Sequence, residues 1–373
     1  MRVLFVSALG TGHVLPAVPL AWALRAAGHD VLLAAAGDAL VAERAGIEVE
    51  DVLPGQNMSG VFEWIRANRP ELLERLGNSD ATRDLREAVP VFARVADQMA
   101  DGIVDTAIRY APDLVVYTQL QGAGPLVAAK LGIPAVQQGF GFARTAGVNE
   151  LMREHLAEAY QRHGVTGTAS LDKIDVAPPS MLGGEPEGWS TRYIPYNGGA
   201  VLPELLRRPS NRPRVAVTLG TVSPTMNGFA TVRRIIDVAA GVDAEFVLAV
   251  GSTDVGDLPD NVVAMPWVPL NSLLRTCAAV IHHGGAGTTL TAIDAGLPQL
   301  VLPDGADRFA NADAVHERGM GVSITPSDVD TGLMDWLLRS DKPRAIAAEV
   351  RDEMHGMATP ASLVPHLVEL AAS

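Results

Sequence analysis

Short apolar runs bounded by turn residues recur along the chain. Val3–Ser7, Val31–Ala35, Ile47–Val52, Asp113–Tyr117 and Pro134–Gln137 each read as a strand. Leu15–Ala27 and Gly124–Leu131 lie between them with helical spacing, the first ending at Gly28, a residue suited to a helix C-cap. Continuous apolar runs, rather than alternation, belong to strands buried on both faces, and so predict parallel sheets covered by helices. Residues 56–110 are less regular and read as mostly helical. The pattern pauses over 176–213, where seven prolines and five glycines fall. It restarts with strands at Val215–Leu219, Phe246–Val250, Val262–Met265, Ala279–His282, Gln299–Leu302 and Gly321–Ile324. The expectation is an α/β chain of two facing Rossmann-like domains, 1–200 and 201–350, with a helical tail over 351–373.

Composition narrows the function. Hydrophobic residues make up 48% of the 373 positions and charged residues 19%, too apolar for a disordered chain. No run approaches the roughly 18 apolar residues of a membrane span. The net charge of −14 argues against nucleic acid and anionic lipid as partners. Any phosphate must then be held locally, by backbone N–H groups and a few side chains. Cys277 is the one cysteine, so no intrachain disulfide and no cysteine-based zinc site are expected, which suits the cytoplasm. The start of the chain, with Arg2 before Val3–Leu9 and Ala34–Ala36 further on, superficially resembles an export signal. Gly10-Thr11-Gly12-His13 breaks the apolar run, so a strand is expected there instead.

Two constellations offer chemistry. His282-His283-Gly284-Gly285-Ala286-Gly287-Thr288-Thr289 follows a strand and opens a helix. Glycines there let backbone approach a ligand, and a helix N-terminus offers free N–H groups and partial positive charge, so the motif suits a diphosphate. No Gly-Lys-Ser/Thr follows, which excludes a Walker A loop. Adjacent histidines in a strand face opposite ways, which argues against a shared metal. The second constellation is Gly10-Thr11-Gly12-His13 after the first strand. Leu15 stands where a dinucleotide fingerprint needs its third glycine, so an NAD site is not supported. His13 falls where parallel sheets bind ligands, and its ordinary pKa range suits a general base. It could equally cap the helix or line a cleft.

Taken together, Gly12–Ala21, Trp267-Val268-Pro269-Leu270, His283–Thr288 and Asp307 resemble the nucleotide-sugar glycosyltransferases of family 1, which have the GT-B fold. Pro195-Tyr196-Asn197-Gly198, Thr218-Leu219-Gly220-Thr221 and Glu353–Ala361 are similar to the bacterial antibiotic glycosyltransferases, the calicheamicin (enediyne) group especially. The resemblance spans nearly the whole chain. It implies an inverting transfer of a deoxysugar, from a thymidine-diphosphate donor to a hydroxyl of a hydrophobic polyketide or enediyne-like aglycone. It implies neither cofactor nor metal. The first domain would bind the acceptor, the second the donor, and the tail would return to the first.

The resemblance also distributes roles. His13 would deprotonate the acceptor hydroxyl. Trp267 would stack on the nucleobase and the backbone of Val268 would bond its edge, although Trp267 could instead be a core residue. His283, Gly285, Ala286, Gly287 and Thr288 would hold the diphosphate, with Gly220 and Thr221 lining it from the other side. Asp307 would bind sugar hydroxyls, or else act only as a helix N-cap. Gly12, Thr118, Gln138, Phe62, Trp64, Phe140 and Phe142 would form the acceptor side, unless the aromatics are ordinary core. Two departures stand out: Thr118-Gln119 replaces the acid that orients the catalytic histidine in many relatives, and Arg308 replaces a glutamine after the sugar-binding aspartate. Arg308 could reach a carboxylate, a phosphate or a neighbouring acid. A nucleotide-sugar epimerase or hydrolase of the same fold, a non-catalytic partner of such an enzyme, and a homodimer all stay open.

Overall fold

The computed structural model describes residues 1–77, 84–220, 228–251 and 254–373. Two compact units emerge, Met1–Tyr196 with Met357–Ser373, and Asn197–Gly356. The chain therefore leaves the first unit at 196/197 rather than at 200. It returns at 356/357 rather than at 350. Much of the proline-rich stretch belongs to the first unit, because its residues add a strand there instead of acting as a free linker.

The first unit carries, among the described residues, a seven-stranded sheet of β1 Arg2–Val6, β2 Asp30–Ala35, β3 Glu48–Asp51, β4 Leu114–Thr118, β5 Ala135–Gln138, β6 Leu171–Asp175 and β7 Trp189–Ser190. Every pairing is parallel, in the order β3-β2-β1-β4-β5-β6-β7. The central strands β1, β4 and β5 are buried almost throughout because helices cover both faces, hence the apolar runs of β1 and β4, while β5 buries Gln137 and Gln138 as well. The longest cover is the helix Val89–Tyr110, whose Val91, Val95, Met99 and Ile103 recur every four residues and are buried. The tail helix Pro360–Ala371 packs on the helix Val18–Ala26 and buries Leu363 and Leu367. Its approach is fixed by the Ala358 carbonyl, which accepts from Arg192 N at 2.7 Å and from the Thr191 hydroxyl at 2.9 Å.

The second unit repeats the plan with β8 Arg214–Thr218, β9 Glu245–Ala249, β10 Val262–Met265, β11 Ala279–His282, β12 Gln299–Val301 and β13 Gly321–Ser323, all parallel. Their order is β10-β9-β8-β11-β12-β13. In each unit the strand order reverses once, between β1 and β4 and between β8 and β11. Parallel sheets bind ligands at such switch points, beyond the carboxyl ends of the strands. The fold thus sends the Gly10–His13 turn to one switch point, and Gly220 with the His283–Gly287 loop to the other. The α/β, Rossmann-like expectation holds for both units.

Candidate active site

In the first unit the chain leaves β1 and closes a short helix, Thr11–Val14, whose His13 N donates to Gly10 O at 3.0 Å. Gly10-Thr11-Gly12-His13 is thus partly helix, where the sequence predicts a turn. Gly12 sits in that helical turn with open space beside it. His13 is half-buried between two aromatic rings. Phe140 meets it edge-on with centroids 4.8 Å apart, and Phe92 lies tilted at 5.1 Å. The two rings restrict the imidazole plane by contact. Phe92 is absent from the sequence expectations. It is one aromatic in a valine-rich helix, and only the placement of that helix reveals its role.

Thr118 and Gln119 support the loops around His13. Thr118 Oγ1 accepts from Ala8 N at 3.3 Å, and Gln119 Oε1 accepts from Phe140 N at 3.3 Å. One holds the turn after β1, the other the segment that carries Phe140. Gln138 is buried at the end of β5 and donates to Gly139 O at 3.0 Å. Phe142 is buried in the fold. Phe62 and Trp64 are half-buried on the helix Met58–Asn68, and the Trp64 ring carries the Arg94 guanidinium 3.4 Å from its centroid. Of the expected acceptor aromatics, Phe140 is the one seated directly against His13.

In the second unit β11 ends on His282, and His283 follows directly after it. His282 is fully buried; its ring pairs with Gln299 Oε1 at 2.8 Å and its Nδ1 accepts from Gly284 N at 3.1 Å. Those partners require a neutral ring protonated on Nε2, and burial pulls its pKa down to about 4. His283 is also buried, and burial first, then the charge of Arg308, lowers its pKa well below the ordinary range. It meets a ligand as a neutral hydrogen-bonding group, not as a cation. A Cβ on Gly220 would lie 2.5 Å from His283 Cε1, and one on Gly285 would lie 2.6 Å from its Nε2, so glycine alone permits this fit. Thr221 lies outside the described residues.

The helix Ala286–Asp294 begins beyond Gly285, which supplies no side-chain cap. The first intrahelical bond from this end is Thr289 N to Gly285 O at 2.9 Å. The N–H groups of Ala286, Gly287 and Thr288 therefore point out of the helix with its positive dipole end behind them. Nearby, Asp307 stands at the N-cap position of the helix Arg308–Arg318, yet its side chain makes no capping bond. Its Oδ2 accepts instead from Asn311 Nδ2 at 3.0 Å, which leaves carboxylate oxygen available to a ligand. Arg308 forms an ion pair with Asp304, one of the partners its charge allows. Trp267 is 56% exposed, which excludes a core role. Its ring edge lies 3.2 Å from where a Cβ of Gly198 would stand. Asn197 Oδ1 accepts from Asn271 N at 3.0 Å and anchors the segment after Trp267, while Val268 is buried. Chemically, the unit offers a flat hydrophobic ring, a row of N–H donors and a carboxylate.

Residues 22–220 match the family model for the erythromycin biosynthesis protein CIII-like N-terminal domain, and 233–370 match that of its C-terminal domain. The chain is 42% identical to the elloramycin glycosyltransferase ElmGT of Streptomyces olivaceus, over 98% of this chain and 97% of that one. The crystal structure of the glycosyltransferase SnogD from Streptomyces nogalater superposes with a TM-score of 0.87 at 39% identity, covering 100% of this chain and 99% of that one. The Streptomyces sp. SF2575 glycosyltransferase SsfS6, complexed with thymidine diphosphate, superposes with a TM-score of 0.84 at 31% identity and 99% coverage of both. No helix among the described residues is long and apolar enough to cross a membrane. With both halves matched and the double parallel-sheet architecture shared, the chain belongs to the EryCIII-like glycosyltransferases, family 1 enzymes of the GT-B fold that build antibiotics.

Proposed function

We propose that this protein transfers a deoxysugar from a thymidine-diphosphate donor to a hydroxyl of a hydrophobic polyketide aglycone, with inversion at the anomeric carbon. His13 accepts the proton of the acceptor hydroxyl as its oxygen forms the new C–O bond. The old bond breaks, its electron pair leaves on the terminal phosphate oxygen, and thymidine diphosphate departs. The single observation that carries this reading is the uncapped start of the helix Ala286–Asp294 beside a neutral, buried His283. A helix N-terminus carries about half a positive charge, and preorganised donors of this kind stabilise charge as it develops on a leaving group. We infer that this replaces a metal. Trp267 offers its exposed ring to the base, and Asp307 and Arg308 face the sugar. The complex of SsfS6 with thymidine diphosphate and the elloramycin activity of ElmGT support the donor and acceptor classes.

The test follows nucleotide release with a panel of thymidine-diphosphate sugars, with and without polyketide acceptors, an enediyne core among them. Transfer predicts release that depends on the acceptor, an inverted anomeric product, and rates unchanged by EDTA. Release without an acceptor would show hydrolysis. Failure to bind any nucleoside diphosphate would leave a non-catalytic partner.

A further inference from the structure

Asn311 is fully buried on the helix Arg308–Arg318. Its amide nitrogen donates twice, to Gly284 O at 2.8 Å and to Asp307 Oδ2 at 3.0 Å. Its Oδ1 has no hydrogen-bond partner among the described residues. Burying an unsatisfied carbonyl is unfavourable, and an apolar side chain would avoid it. The position therefore keeps an amide for its two N–H bonds. The amide cannot be turned round, because Oδ1 would then face two acceptors.

Both recipients belong to the donor site. Gly284 is held through both of its flanking peptides, since its N–H donates to His282 Nδ1 and its carbonyl accepts from Asn311. A trans peptide is planar, so fixing the Gly284 carbonyl also fixes the opposite direction of the Gly285 N–H. The second bond orients a carboxylate that caps nothing. We propose that Asn311 is a positioning residue whose single amide holds the Asp307 carboxylate and the Gly284–Gly285 peptide in register, coupling sugar recognition to diphosphate recognition. The proposal rests on the donor-site reading above.

Calorimetry on the full chain separates the possibilities. Thymidine diphosphate and a panel of its hexose conjugates are titrated, and the affinity gained from the sugar is expressed as a ratio. In Asn311→Leu, of similar size, affinity for thymidine diphosphate is expected to fall at least threefold and the sugar ratio to collapse toward one. Adding Asp307→Ala should then change the ratio no further. A ratio that survives in Asn311→Leu, or that Asp307→Ala still lowers independently, overturns the proposal, because a purely structural residue weakens both ligands alike. Asn311→Ala carries the same comparison if the leucine variant does not fold. An unsubstituted protein that fails to bind thymidine diphosphate at all refutes the donor-site reading itself, a result distinct from failure of the Asn311 role.

Discussion

His282 makes the stability of the second unit depend on pH in a calculable way. In the folded state its pKa is pulled down to about 4, while an unfolded chain titrates near 6.5. Below 6.5 the unfolded state takes up a proton that the folded state refuses. Stability is therefore full above about pH 7 and is lost as the pH falls toward 4. Between pH 7 and pH 5 the linkage integral gives a loss of about 2 kcal/mol from this one side chain. His282→Gln removes the titration and retains a donor for Gln299. Urea unfolding of both proteins at pH 7 and pH 5 measures the difference, followed in the transition that reports Trp267 and Trp336, which lie in the second unit. Carboxylates and His283 titrate in both proteins and cancel. The parent should lose about 2 kcal/mol more than the variant over this interval. Equal losses would refute the neutral, buried state assigned to His282.

Two further results are expected. His13→Ala should leave the affinity for thymidine diphosphate unchanged in calorimetry and lower turnover by about 10²–10⁴, the usual worth of general-base help. Near-normal turnover would remove His13 from the chemistry. Gly284→Ala places a Cβ 2.8 Å from the Arg308 carbonyl, at a residue with φ of +87°. Positive φ costs a non-glycine residue about 1–2 kcal/mol. Backbone must also shift, so both the melting temperature and nucleotide affinity should fall, and a variant normal in both would count against the tight register of this loop.

The double Rossmann-like plan was legible because the middles of β1, β4, β8 and β11 are buried on both faces and so are apolar, with polar residues only at their ends. β6 and β7 were not. Leu171–Asp175 is polar at three of its five positions, and β7 has two residues, too few for any period to show. The glycines after β11 marked the tight passage from strand into helix through local chain geometry. Asn311 gave no such signal, since an asparagine inside a helix looks like surface until the fold buries it. The pairing of His13 with Phe92 was equally hidden, because the two residues are far apart in sequence and meet only in the folded unit.

Because the last seventeen residues, Met357–Ser373, fold with Met1–Tyr196, the second unit is an insertion within the first rather than its successor. The two seams, at 196/197 and 356/357, are stitched near each other by the bonds from Thr191 and Arg192 to Ala358. On the proposed donor role of this unit, hybrid enzymes with altered sugar preference should be made by exchanging the whole cassette 197–356 with two joins. A single join would pair a foreign tail with the native Val18–Ala26 helix and leave Leu363 and Leu367 facing a surface they did not evolve with.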